Sequence, residues 1–450
     1  MLNEVSLREI KSRRLVAANG LKSRMVLFFL AFLYVVALHV VYTRIVSVQW
    51  AYMGYVYNDP PMLDVLMAWL VSSLTGLWMP ITIDRPSKVV YWLFYLFVIV
   101  PVIVTPVYID GNFLNSFLRI SLPILVSFLS IGFFYKIPLF KTRKLSISSQ
   151  TFWTCFFLVL FVSYAYVLAI FGPHLEFVSI FSSEEVYSIR LAARSVTSGK
   201  LIGYVMAWCG NLLNPFLIAF GLNSKKYFPL AVGVCGQILL YFAEALKGTL
   251  LSVLVFVGLF LLLSKHRKQV GLKIFVVIIC VVMVSCLLDY FLNSNVFVSL
   301  MANREIFTHG LLTTYYFDFF STNSKAHMGH NKLISNFVDY PYTEAPSFVI
   351  GNYYFGSSST NANENFWAYA YADFGYVGLF VYGIIVGVLF WLYDSLASHI
   401  PIQFSAILVF SPFFSLASTS LFTSLLTHGV LPLLFFLWVV PETLVGGSNG

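Results

Sequence analysis

The 450 residues include 59% hydrophobic and only 10% charged side chains, a balance that excludes a soluble globular domain. A formal net charge of +8 could suggest an acidic partner, but with so few charges its placement along the chain matters more than its size, and no nucleic-acid partner is expected. The five cysteines all lie in apolar runs and indicate no disulfide framework.

Residues 1–24 form a basic tail that contains six Lys and Arg side chains. The tail is too charged, and too long before the first apolar run, for a cleaved signal peptide. We therefore expect it to stay in the cytoplasm.

Apolar runs of about 20 residues, long enough to cross about 30 Å of hydrocarbon, follow the tail. They predict an all-α integral membrane protein with about 12 transmembrane helices. Nine spans lie within residues 25–290 and three within 374–444, and a tail, 445–450, has the composition of a fusion remnant. The predicted spans are 25–46, 62–82, 89–107, 113–134, 151–171, 201–221, 228–246, 248–264, 271–290, 374–393, 401–424 and 428–444.

The basic residues test this topology. With both termini in the cytoplasm, about two thirds of the Lys and Arg residues fall in segments on the cytoplasmic side, as the positive-inside rule requires. Two large loops then lie outside the membrane, residues 172–200 and, between spans 9 and 10, a helical or irregular loop of residues 291–373. Function is expected in these loops.

In the first loop, Ser182 and Glu185 resemble a capping box that opens a helix through Ala193. Arg190 and Arg194 share a face of that helix, and neither has an acidic residue three or four positions away. Paired guanidinium groups suit a phosphate or diphosphate, to which they donate bidentate hydrogen bonds. The alternative is that both are solvated or reach lipid headgroups.

Two further cations are candidate anion ligands. Lys247 lies in a tight external turn close to membrane depth, where an ammonium group indicates function, although Glu244 offers a structural partner. Arg304 lies just after the ninth predicted span without a local counter-charge. For Arg304 the alternative is a structural ion pair with a distant carboxylate such as Asp289 or Asp318.

The second loop also contains imidazole groups. His327 and His330 are three residues apart, but a zinc site needs a third ligand, and no cysteine lies outside the spans, so no metal is expected. A histidine whose ordinary pKa is near 6.5 suits proton transfer at neutral pH, which makes His330 a candidate general base.

Residues 340–356 are rich in aromatic and turn-forming side chains. Aromatic faces and amide groups commonly hold sugars, which points to Tyr353 and Trp367 as sugar-binding residues. An aromatic belt at headgroup level would produce the same composition, and the sequence does not separate the two.

Four short motifs make a resemblance specific. They are Pro346-Ser347-Phe348-Val349-Ile350-Gly351, Tyr354-Phe355-Gly356, Asn361-Ala362-Asn363, and Ala372-Asp373-Phe374-Gly375-Tyr376-Val377-Gly378. In this order, before a span, they resemble the O-antigen polymerase (Wzy-type) family over about residues 300–380. His330-Asn331-Lys332-Leu333 is also similar to a short element of the O-antigen ligases.

The resemblance implies an enzyme of the bacterial inner membrane that polymerises polyprenyl-diphosphate-linked oligosaccharide units, with its active site facing the periplasm. Lipid-linked oligosaccharides would be donor and acceptor, membrane lipid a further partner, and a chain-length regulator a candidate partner. One departure concerns the arginines. Some members have a Gly eleven positions after a loop Arg, whereas Arg190, Arg194 and Arg304 are followed there by Leu201, Val205 and Tyr315.

We expect metal-independent and cofactor-independent glycosyl transfer. Fixed cations would stabilise the charge that develops on the leaving diphosphate. His330 or Glu364 would deprotonate the attacking hydroxyl group, and Asn361 and Asn363 would hold sugar hydroxyls, while Asp373 could instead cap the helix that follows it. The residues assigned to the diphosphate are Arg190, Arg194, Lys247 and Arg304, with Arg304 also placed in catalysis. Ligase-like transfer to another acceptor, or a flippase or transporter of the same lipids, are the alternatives.

Overall fold

The structure is a computed structural model that describes residues 2–141, 143, 145, 147–175, 183–265, 269–331 and 334–445. The regular secondary structure of this described part is helical. Ten helices are long and apolar enough to cross a membrane, which confirms an all-α multi-pass membrane protein. Such a chain is compatible with lipid because the backbone N–H and C=O groups of a helix form hydrogen bonds with one another.

The helices are numbered here in chain order, and several continue through a π-helical turn. They are α1 (Leu2–Val41, continuing to Gln49), α2 (Met62–Gly76), α3 (Ser87–Asp110), α4 (Phe113–Lys136), α5 (Ser149–Phe171), α6 (Ser183–Thr197), α7 (Leu201–Ser224), α8 (Tyr227–Glu244), α9 (Lys247–Lys265), α10 (Val270–Leu292), α11 (Thr308–Thr322), α12 (Pro346–Phe355), α13 (Phe366–Leu396), α14 (Ile402–Ala417) and α15 (Leu421–Val439).

Each of the twelve predicted spans overlaps a helix of this set. Ten of these helices have the length of a membrane span, whereas α2 and α14 are shorter apolar helices. The basic tail is also helical, because α1 begins at Leu2. The predicted outer loop of residues 291–373 contains α11, α12 and the first turns of α13.

The chain divides into two compact units. The first comprises Met1–Thr82, Tyr95–Leu125 and Lys268–Tyr315. Within it, the Tyr34 hydroxyl donates to the Leu96 carbonyl at 2.9 Å and the Tyr95 hydroxyl to the Ser72 carbonyl at 2.8 Å, so buried tyrosines join α1 and α2 to α3. The Asp289 carboxylate accepts from the backbone amides of Phe297 and Val298 and begins the helical segment there.

The second unit comprises Ile83–Phe94, Val126–Arg267 and Tyr316–Gly450. Small residues bring α7 and α8 close together, since a Cβ atom at Gly233 would lie 2.8 Å from the Asn214 carbonyl oxygen. α13 is fixed against α4, where the Ser127 hydroxyl donates to the Leu379 carbonyl at 2.6 Å. At its far end Asp394 accepts from the amide and the hydroxyl of Ser87. These contacts hold the helix that carries the candidate site.

Candidate functional site

The candidate site lies in the second unit and is built around α13. The Asn365 side chain accepts a hydrogen bond from the Ala368 amide at 3.0 Å and caps the helix N-terminus. The helix breaks at Phe374 and Gly375, where Gly375 has φ of 61° and ψ of −145°. Glycine reaches this backbone region without a side-chain clash. The break divides α13 into an outer and an inner part.

Asp373 lies at this break and is 2% exposed. Its Oδ1 accepts from the Met328 amide at 2.9 Å and its Oδ2 from the Tyr382 hydroxyl at 3.0 Å. The alternative role for Asp373, a cap on the helical segment that follows it, is therefore wrong, because Oδ1 binds the Met328 amide, 45 residues away, and Oδ2 binds the Tyr382 hydroxyl.

That turn places His330. Its residues His327 and Met328 have φ values of 46° and 61°, the left-handed region that side chains other than glycine rarely adopt. The Ala326 amide donates to the Ala372 carbonyl at 2.8 Å, so backbone and carboxylate bonds together hold the conformation. Strain of this kind persists where surrounding contacts enforce it.

The His330 ring is half-buried between aromatic rings. Its centroid lies 6.2 Å from that of Tyr340 and 6.3 Å from that of Tyr369. Among the residues that the structure describes, its buried Nδ1 has no hydrogen-bond partner. Burial lowers the pKa of His330 below its ordinary value, so the ring is neutral at pH 7 and has a lone pair able to accept a proton.

The predicted sugar-binding amides lie on the loop before α13. Asn361 and Asn363 are exposed, and Asn363 accepts a hydrogen bond from the Tyr369 hydroxyl at 2.8 Å. The loop is fixed to α12, because the Ala362 amide donates to the Ser347 carbonyl at 3.0 Å. One cluster therefore joins this loop to the His330 region through Tyr369.

Tyr353 on α12 is 66% exposed, and its ring makes edge-to-face contacts with Phe319 at 5.1 Å and with Tyr354 at 4.9 Å between centroids. An exposed aromatic ring that neighbouring rings hold in place can stack on a sugar. The predicted role of Tyr353 is compatible with this position.

Two predicted residues are inaccessible. Trp367 is fully buried and its indole Nε1 donates to the Ser127 hydroxyl at 2.9 Å, so in this conformation no sugar can reach its ring faces. Glu364 is also fully buried, with Oε1 accepting from the side-chain amide of Asn365. In this conformation a substrate reaches neither the ring of Trp367, predicted to hold a sugar, nor the carboxylate of Glu364, predicted as a candidate base.

Arg194 on α6 is half-buried and its guanidinium lies 4.7 Å from the ring centroid of Phe348 on α12. Within the described part of the chain this guanidinium has no acidic partner. The two predicted outer loops therefore meet at this contact, which orients a cation while leaving its hydrogen-bond donors available.

Arg190 makes a backbone contact, and its predicted role in diphosphate binding remains a prediction. Its Nε donates to the Ala245 carbonyl at 3.0 Å, at the C-terminal end of α8. A cation at that end of a helix stabilises the last carbonyl groups. This contact gives Arg190 a structural role. Ser182, the predicted helix cap, lies outside the described residues.

Two other cations, Lys247 and Arg304, are also predicted as anion ligands. Lys247 begins α9, after the turn that follows α8, and is half-buried. Arg304 belongs to the first unit, where it is exposed on the π-helical segment Ser299–Phe307. The anion-binding roles of Lys247 and Arg304 remain predictions.

Several site residues were not singled out in the sequence. The Lys325 ammonium lies 3.9 Å from the ring centroid of Tyr371 and donates to the Phe320 carbonyl, and burial lowers its pKa. Burial, and then the charge of Asp373, raise the pKa of Tyr340. Tyr316 donates to the Ala362 carbonyl at 3.2 Å. An aromatic belt at headgroup level would also be rich in tyrosine, so the local sequence does not distinguish site tyrosines from belt tyrosines.

The described residues contain no group of three or more His, Cys, Asp or Glu side chains placed to hold a metal ion. Comparison of the chain with protein-family models, with curated proteins and with solved structures found no match.

Proposed function

We propose that this protein transfers glycans between polyprenyl-diphosphate-linked oligosaccharides and so polymerises them, at the outer face of a bacterial inner membrane. The observation that supports this most directly is the contact between Arg194 and Phe348. It places a cation that has no acidic partner among the described residues beside α12, the helix that carries the first of the motifs resembling O-antigen polymerases.

The electrostatic part of the mechanism falls to Arg194. A diphosphate gains negative charge as the glycosidic bond to it breaks. A guanidinium that is already oriented by a ring contact stabilises this charge without having to reorganise. A divalent metal would supply similar stabilisation. In this proposal the guanidinium of Arg194 has that role.

The proton-transfer part falls to His330. Its neutral ring can accept the proton of the attacking sugar hydroxyl, and its Nδ1 is the nitrogen without a described partner. The exposed Tyr353 ring and the Asn361 and Asn363 amides supply stacking and hydrogen bonds for the acceptor sugar. Contacts between α12, the loop before α13 and Tyr369 connect these parts.

Reconstitution tests the proposal. Purified protein in vesicles is mixed with polyprenyl-diphosphate-linked oligosaccharides extracted from cells that lack it, and the products are separated by size. The wild-type protein should give a ladder of lengths. Arg194→Gln should reduce ladder formation at least about tenfold, which corresponds to about 1.4 kcal/mol of lost stabilisation.

Lys200→Gln is the matched control, since Lys200 is an exposed cation three residues beyond α6. It removes the same charge and should leave the ladder unchanged. Equal losses in both variants would show that general charge, and no specific contact, attracts the substrate.

A second function, translocation of lipid-linked oligosaccharides across the membrane, is favoured by a different observation. α15 is interrupted at Gly429, and the freed Leu426 and His428 carbonyls accept hydrogen bonds from Trp208 and Asn211 of α7. Interrupted spans with polar contacts are typical of transporters. Movement of a fluorescent lipid-linked oligosaccharide across the vesicle membrane without any change in its length would favour translocation over polymerisation.

A further inference from the structure

A polar cluster lies inside the spans of the second unit, apart from the candidate site. Tyr164 of α5 donates from its hydroxyl to Asn214 Oδ1 at 2.8 Å. Gln237 of α8 donates from Nε2 to the Gly210 carbonyl at 2.8 Å and to the Ser252 hydroxyl at 3.4 Å. Amide side chains in a span are costly, so each is expected to have a structural or binding task.

Two atoms of this cluster have unused hydrogen-bonding capacity. Asn214 and Gln237 are both fully buried, and Asn214 Nδ2 and Gln237 Oε1 have no partner among the described residues. The carbonyl of Gly210 fixes the orientation of Gln237, because a reversed amide would set two oxygens against each other. A donor and an acceptor are therefore both left over at a site without water from bulk solvent.

These two amides lie on facing helices. Asn214 is about one helical turn beyond Gly210, whose carbonyl binds Gln237. Gly236, the neighbour of Gln237, comes so close to α7 that a Cβ atom there would lie 2.6 Å from Asn214 Oδ1. The segment Cys209–Leu213, which contains Gly210 and directly precedes Asn214, is a π-helical turn, a feature often found at functional sites.

The pairing of unused atoms decides the class of ligand. With Asn214 oriented so that its Oδ1 accepts from the Tyr164 hydroxyl, a cation would satisfy Gln237 Oε1 but would repel the Asn214 amino group, and an anion would do the reverse. A water molecule accepts one hydrogen bond and donates another, and buried waters typically serve such groups. We propose that Asn214 and Gln237 bind one buried water molecule, which accepts from Asn214 Nδ2 and donates to Gln237 Oε1.

A double-mutant cycle on the full-length protein in detergent tests this site. Asn214→Leu and Gln237→Met replace each amide by an apolar side chain of similar size. Each alone should lower the midpoint of thermal unfolding by about 2 °C or more. The double variant should lose clearly less than the sum of the two single losses, because it has no amide left without its partner in the water bridge.

Asn223→Leu combined with Gln237→Met is the control. Asn223 lies further along α7 and already pairs with Gln403 at 3.3 Å, so this combination should be additive. An additive result for the Asn214 pair would overturn the proposal. So would a higher unfolding midpoint in sodium chloride than in choline chloride, because that indicates a cation site.

A high-resolution structure of the wild-type protein gives an independent readout. Density for one water within hydrogen-bond distance of both amides is the expected result, and it should be lost in the double variant. A direct bond between the two side chains would contradict the proposal even if the cycle showed coupling.

Discussion

In the part of the chain that the structure describes, the guanidinium of Arg194 contacts an aromatic ring and no carboxylate. A planar guanidinium can stack on Phe348 and still present a fork of donors to a diphosphate, whereas an ammonium group offers a point charge. Arg194→Lys should therefore keep the protein folded but reduce ladder formation at least about tenfold. The rate of lengthening in vesicles measures this, and full activity of the lysine variant would reduce the role of Arg194 to charge attraction.

His330 gives the proposal a pH dependence. Burial lowers its pKa below the ordinary value of about 6.5, so the neutral, proton-accepting form predominates at pH 7 and is lost as the pH falls through that lowered pKa. We expect the rate of polymerisation to be constant near neutrality and to decline only at a pH below about 6.5.

The variant His330→Gln should lower the rate about 10²–10⁴-fold and remove this decline on the acid side. The comparison uses initial rates from pH 5 to 8, with thermal unfolding as the check on folding. An unchanged acid limb in the variant would assign the titration to another group and would count against His330 as the base.

At the scale of elements, α12 supports the loop that carries Asn361 and Asn363. A Cβ atom at Gly351 would lie 2.0 Å from the Thr360 carbonyl oxygen, a contact with backbone that cannot move aside easily. Gly351→Ala should therefore destabilise the protein by about 1–3 kcal/mol and reduce polymerisation. The exposed neighbour Asn352 supplies the control, since Asn352→Ala should change the unfolding midpoint little. Equal stability of the two variants would show that the loop does not pack on α12 as described.

The N-terminal part of α13 contains contacts that the sequence does not predict. The charge of Asp373 and the polar residues before it predict a span that begins at residue 374, which is where α13 breaks, but they do not predict the outer part of the helix, which already begins at Phe366. The carboxylate is tolerated inside the helix because Met328 and Tyr382 donate to it. The bond to Met328 joins residues that are far apart in sequence, so no local pattern could reveal it.

Hydropathy, in contrast, locates most of the helices within a few residues. Each of the first nine predicted spans overlaps a helix, because a run of about 20 apolar side chains depends on local composition alone. What composition leaves open is which predicted site residues are accessible. Trp367 and Tyr353 are both aromatic loop residues in the sequence, yet one is fully buried and the other is 66% exposed. That difference depends on packing against other helices.

For the whole molecule, α2 is the element that decides the topology. This helix, Met62–Gly76, is short for a span, and the predicted twelve-span arrangement needs it to cross the membrane. If it does, Asp84, which follows it and has an exposed side chain, lies in the cytoplasm. In a variant whose own cysteines are replaced, Asp84→Cys should react with a membrane-impermeant maleimide only after the cells are opened. Labelling in intact spheroplasts would place Asp84 outside and contradict the predicted topology.

The central claim is that protein cations, without a bound metal, stabilise a departing lipid diphosphate. The most direct measurement is the formation of a product ladder from lipid-linked oligosaccharides by the reconstituted wild-type protein in excess EDTA. The account predicts a ladder of undiminished length and rate with EDTA present. A ladder that disappears in EDTA and returns on addition of Mg²⁺ or Mn²⁺ would contradict it.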